Sequence, residues 1–196
     1  MLENTSSGIF GDGLCKAMAP GRAGEAEGKV EGESTTMNEE RVHHVVTLVC
    51  ALGCGLIAGV FFGFSAFVMR ALGRIESRQG IAAMQSINVV VINPVFLGVF
   101  LGTAVGCVAL LIWSVMESQA PGAGYRLAGS VSYLAGTVGV TGACNVPRNN
   151  ALAAIDGGSA EGARYWADYR RAWTGWNHVR TVASLAAAAA LTIGLG

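Results

Sequence analysis

Asn145, Asn149, Asn177, His178 and Arg180 stand inside or at the ends of long apolar runs, as do Ser65, Gln85, Asn88 and Asn93. Polar groups in such places are costly to bury and mark either function or contacts between helices. Spacing sharpens the pattern. At about 100° per residue, Trp166, Tyr169, Trp173, Asn177, Arg180, Thr181 and Ser184 share one face of a helix, with Ser159 and Glu161 as its start signal. His178 is turned about 100° away from Asn177 and points elsewhere. Ser130, Tyr133, Thr137, Thr141 and Asn145 fall on one side of a second helix, and Gln85, Asn88 and Thr103 on one side of a third. Together they describe an aromatic mouth leading to a pocket lined by amides and a guanidinium. The plainer reading makes the aromatic residues an interfacial belt, the arginines snorkelling side chains and the asparagines helix-to-helix bonds. The concentration of the whole set at one end of the spans favours the pocket.

The elements that must position these residues are membrane helices. The chain has 196 residues, 52% hydrophobic and 13% charged, against about 25% charged in an ordinary soluble domain. Four apolar stretches, about 45–69, 89–116, 127–144 and 176–196, each reach the roughly 18–20 residues that cross a hydrocarbon core. The predicted fold class is all-α: a four-helix antiparallel transmembrane bundle over 41–196. Small residues four apart (Gly55, Gly59, Gly63; Gly98, Gly102, Gly106; Ala135, Gly139, Ala143; Ala186, Ala190, Gly194) predict close helix packing. Pro94 invites a kink in the second span.

Thirteen basic and thirteen acidic residues cancel, but unevenly. Residues 1–40 carry a net −5 and read as a disordered acidic tail, with Met37 a candidate true start; residues 41–196 carry +5. The basic excess is too small for a nucleic-acid partner. Arg70, Arg74 and Arg78 follow span one, and Arg148, Arg164, Arg170 and Arg171 follow span three. The positive-inside rule therefore predicts the polar pocket on the cytoplasmic side and both termini outside. No metal site is expected: Cys50 and Cys54 read as small packing residues, and His43 and His44 as an interfacial flank. Nucleotide-binding glycine fingerprints and the nucleophile elbow are absent from the sequence.

Three motifs carry a resemblance. Ala83-Met84-Gln85-x-Ile87-Asn88 with Ile92-Asn93-Pro94-x-Phe96, then Asn145-Val146-Pro147-x-Asn149-x-Ala151-Leu152, then Trp173-Thr174-x-Trp176-Asn177-His178-Val179-Arg180-Thr181 resemble the anthrone-oxygenase-like family of small membrane proteins over about 42–196. Arg148 stands where the family pattern has an apolar residue, and residues 1–40 have no counterpart. The resemblance implies oxidation of an anthrone to an anthraquinone by O₂ without a cofactor. It also implies roles: Trp173 and Trp176 flanking a flat apolar aromatic substrate, Gln85, Asn88, Asn93 and Asn149 lining its site, and Arg180, Asn145 and Asn177 donating to an oxyanion. His178, as the nearest histidine, is the first candidate base. Two other functions remain open: a membrane module that binds a quinone-like or lipid ligand or a partner protein without turnover, and a small-solute transporter. The outer halves of spans one, two and four offer little polar path for transport, and the sequence leaves the oligomeric state open.

Overall fold

A computed structural model describes the backbone from Pro20 and the side chains from Met37 to Gly196; residues 1–19, and with them much of the acidic segment, lie outside the described residues. The chain divides into two units, Met1–Arg41 and Val42–Gly196. All regular structure among the described residues is helical, so the all-α class is borne out. Helix α1 (Pro20–Gly63) passes through a π-helical segment, Phe64–Val68, into α2 (Met69–Leu72). α3 (Ser77–Val90) leads to α4 (Pro94–Met116), and α5 (Ala123–Val131) continues through π-helical segments to α6 (Val146–Ala153). α7 (Ala160–Ile193) closes the chain.

Three helical stretches, Met37–Leu72, Pro94–Met116 and Ala123–Ala153, are long and apolar enough to cross a membrane. The fourth expected span, 176–196, forms the second half of α7, whose first half carries Arg164, Asp168, Arg170 and Arg171. Large apolar side chains cover the outside: Leu52 is 66% exposed, Val105 70% and Val95 79%. Such a surface suits hydrocarbon and not water.

The second span begins later than the apolar run suggests. Pro94 has no N–H to give to a preceding turn and so occupies the first position of α4. Asn93 caps it, its Oδ1 accepting from the Val95 and Phe96 amides at 3.1 and 3.0 Å. Its Nδ2 donates to the Val90 carbonyl at 2.9 Å, tying the end of α3 to the start of α4. Ser159 caps α7 in the same manner, accepting from the Gly162 amide at 2.9 Å.

α7 is the spine of the bundle. Its buried residues, from Gly162 and Trp166 through Asn177 and Arg180 to Leu191, recur every three or four positions on one stripe. One apolar cluster joins Ile57 and Phe61 of α1, Phe100 and Leu110 of α4, Tyr133, and Leu191 of α7. A second joins Met69, Ile81, Met84, Leu152, Trp166 and Trp173. Thr137 and Ser184 share a hydrogen bond of 2.8 Å between the third span and α7.

The small-residue rows behave differently from expectation. A Cβ at Gly55, Gly59, Gly98 or Gly102 would meet nothing within 4 Å, so these glycines face outward. Of those rows Gly106 does meet a neighbour, Cys50; the other close approaches lie outside them, Gly53 against Thr103, Gly129 against Leu191 and Gly136 against Ala183. A four-residue repeat fixes a helix face but not which face meets a neighbour.

Candidate functional site

Between the two apolar clusters lies a cavity of about 360 Å³, within the usual range of about 300–1,000 Å³ for small-molecule sites. Phe61 and Phe64 from the first span, Phe96 and Phe100 from α4, and Trp173 from α7 supply its aromatic walls. Met84, Ile87 and Val60 add apolar surface, and Gln85, Asn88, Thr141, Asn149, Asn150 and Arg180 the polar side. At the rim stand Val89, Ile92 and Val146, which are 71, 70 and 42% exposed.

Arg180 is 5% exposed, the one buried charged residue among the described residues. Its guanidinium carbon sits 4.1 Å from the Phe61 ring centroid and 5.1 Å from that of Trp173, a double cation–π arrangement. Nη2 donates to Asn177 Oδ1 at 2.6 Å and Nη1 to Thr141 Oγ1 at 3.3 Å. Nε is buried without a partner. Both ion pairs among the described residues lie elsewhere, His43 with Glu117 and Arg171 with Asp168. The cation therefore faces the cavity with neutral partners and no counter-ion among the described residues.

Asn177 holds that cation in place. Its Nδ2 donates at 2.7 Å to both the Phe61 carbonyl and Ser65 Oγ, leaving Oδ1 for Arg180. The π-helical segment that starts at Phe64 inserts a residue into the helical ladder, and the Phe61 carbonyl just before it accepts from across the bundle. Asn145 makes a similar tie, its Nδ2 donating to the Trp173 carbonyl at 3.3 Å while its Oδ1 stays buried without a donor.

Asn149 Oδ1 accepts from Tyr169 Oη at 2.9 Å and from Trp173 Nε1 at 2.8 Å. An indole N–H only donates, which fixes the amide orientation and turns the NH₂ group away from both rings. Burial pushes the Tyr169 phenol above its ordinary pKa, so it remains a donor at neutral pH. Asn88 adjoins that phenol, with a buried Nδ2 that lacks a partner. Gln85 donates through Nε2 to the Leu152 and Ile155 carbonyls at 2.9 and 3.3 Å, closing α6 onto α3.

The sequence-derived site residues thus divide. Arg180, Gln85, Asn88, Asn149 and Trp173 line the cavity, and Asn177 and Asn145 stand behind it as supports. Three do not join it. Asn93 spends its amide on capping α4. Trp176 is 38% exposed on the outer side of α7, and His178 is exposed as its helical phase indicated. Trp176, expected as the second flanking ring, and His178, expected as the first candidate base, therefore do not line the cavity. Phe61 and Phe64 join Trp173 in the cavity lining, Phe64 against Trp173 with ring centroids 5.7 Å apart. They were hidden because an aromatic residue in an apolar span carries no signal of its own. No set of three His, Cys, Asp or Glu side chains among the described residues is placed to hold a metal ion.

Long apolar helices around a cavity that pairs aromatic walls with hydrogen-bond donors define a multi-pass helical membrane protein with a cavity of small-molecule size. Residues 94–190 match the family model described as Anthrone oxygenase, so this part of the chain is similar to an anthrone-oxygenase-like family. The match takes in α4 and most of α7, with Asn145, Asn149, Trp173, Asn177 and Arg180; Gln85, Asn88 and Asn93 precede it. Comparison with curated proteins and with solved structures finds no match.

Proposed function

We propose that this membrane protein is an oxygenase for an anthrone-like, flat aromatic substrate. The observation that carries the reading is the buried Arg180, unpaired by any described carboxylate and clasped between Phe61 and Trp173 at the cavity wall. Oxidising an anthrone requires loss of a proton from its activated CH₂, which places negative charge on the ring oxygen. A fixed guanidinium in a low-dielectric site stabilises that charge where it develops and costs no reorganisation. The electron-rich carbanion then reacts with O₂, and loss of water leaves the quinone: one anthrone and one O₂ give one anthraquinone and one H₂O. The aromatic walls of Phe61, Phe64, Phe96 and Trp173 give a flat substrate apolar surface to pack against. The exposed apolar rim of Val89, Ile92 and Val146 suits a substrate dissolved in the bilayer.

Among the described residues neither histidine nor carboxylate lines the cavity, so in this reading the proton leaves to water at the mouth. That same observation favours a second reading, a module that binds a quinone-like ligand without turning it over. We place the cavity on the cytoplasmic side with both termini outside, on the arginine distribution alone. Purified protein in nanodiscs should accelerate O₂ uptake with an anthrone, with the quinone appearing in equal amount. A rate equal to spontaneous oxidation, in protein that binds the compound, would leave the binding module standing and remove the oxygenase.

A further inference from the structure

The polar wall of the cavity is one-sided. Arg180 offers Nε with no protein acceptor, Asn88 offers a buried Nδ2 with none, and Asn149 turns its NH₂ away from the two donors that hold its oxygen. Thr141 is spent: its hydroxyl donates to the Thr137 carbonyl at 2.7 Å and accepts from Arg180. Gln85 and Asn150 are the exceptions: both recorded bonds of Gln85 use Nε2, so its oxygen stays available, and Asn150, exposed at the rim, presents its whole amide. Buried donors are normally matched by acceptors, and a buried cation is normally paired. Both deficits sit on one cavity between aromatic walls.

We propose that the cavity binds its ligand as an anion: a polycyclic phenol whose deprotonated oxygen lies on Arg180, with a second, neutral acceptor oxygen at Asn88 and Asn149. The inference rests on the cavity being the substrate site, and what it adds is the ionised state in which the ligand is held. A guanidinium prefers an oxyanion to a carbonyl because a charge-assisted hydrogen bond is about twice as strong as a neutral one, and burial reduces the screening that would level the two. Unsubstituted aromatics of the same outline fill the walls but leave the donors unmatched, and a site built on hydrogen bonds rejects such analogues strongly.

The test is equilibrium binding under nitrogen, which removes turnover. Two probes of equal outline are compared, 2-hydroxyanthraquinone and its methyl ether, by quenching of tryptophan fluorescence in nanodiscs across a pH range spanning the phenol's ionisation. The hydroxy compound should bind at least tenfold more tightly than the ether, the gain appearing only as the phenol ionises, with the bound absorbance that of the phenolate. Arg180→Gln should erase the gain of the hydroxy compound over its ether; Arg180→Lys should retain part of it. Equal affinity for the two probes at every pH in the wild-type protein overturns the inference, whatever the variants do. Selective anion binding without any acceleration of O₂ uptake would sink the oxygenase alone, and acceleration without selectivity would sink the anion site alone.

Discussion

Asn177→Asp is the substitution that most directly probes the unpaired cation. In the native site Arg180 Nη2 donates to a neutral oxygen at 2.6 Å; the variant puts a carboxylate there. Two unit charges about 4 Å apart attract by roughly 4 kcal/mol at an effective dielectric of about 20, and desolvating the new carboxylate offsets several kcal/mol of that. The Phe61 carbonyl loses its donor from Nδ2, a cost of about 1–3 kcal/mol, while the Ser65 hydroxyl can reverse and donate to the aspartate. Folding stability should therefore change by less than about 2 kcal/mol, the opposing terms being of similar size. Ligand binding should change far more. An internal counter-ion removes most of the attraction that an anionic ligand feels, about 2–3 kcal/mol or on the order of a hundredfold in Kd. Thermal unfolding reports the first quantity, and titration with the ionised phenol and its methyl ether reports the second. A folded variant that binds the phenolate as tightly as the native protein would refute the reasoning, because Arg180 would then not be the group that carries the anion.

Asn177→Leu removes all three bonds of that amide and should cost about 3 kcal/mol, counting about 0.6 kcal/mol for each neutral bond in a membrane bundle and the rest for the charged one; a Tm within 2 °C of native would count against it. Asn149→Leu frees Tyr169 and Trp173 and should weaken binding of the hydroxyanthraquinone about tenfold, measured by the same quenching titration. Alanine at His178 or Trp176 should leave the rate of O₂ uptake with an anthrone within twofold, since both side chains are exposed outside the cavity; a hundredfold loss at His178 would restore it as the base. Gly53→Ala drives a methyl into Thr103 and should destabilise by about 1–3 kcal/mol. Gly55→Ala meets nothing within 4 Å and should be neutral or stabilise by up to about 1 kcal/mol, both read by thermal unfolding.

Much of the site was legible because helices translate spacing into direction. Trp166, Tyr169, Trp173, Asn177, Arg180 and Ser184 follow a period close to 3.6, and that period alone put them on one stripe and His178 off it. Asn93 carried a signal that was passed over: an asparagine directly before a proline at the head of an apolar run is a helix cap. The glycine rows misled because outward and inward faces of a membrane helix are equally apolar, so composition does not tell lipid from protein. Trp176 misled for a related reason, an aromatic side chain being at home in either setting.

The sequence by itself determined the class of protein and the end of the molecule where its polar groups gather. Run length against hydrocarbon thickness decides the first, and chain order through antiparallel helices decides the second. Only the tertiary structure decided which of those groups face the cavity and which support it. Asn177, Asn145 and Asn149 have the same chemistry, and their roles differ by which donor or acceptor on another helix lies within about 3 Å. It also showed that Arg180 has no described counter-ion, a fact about distances across the bundle that no local spacing encodes.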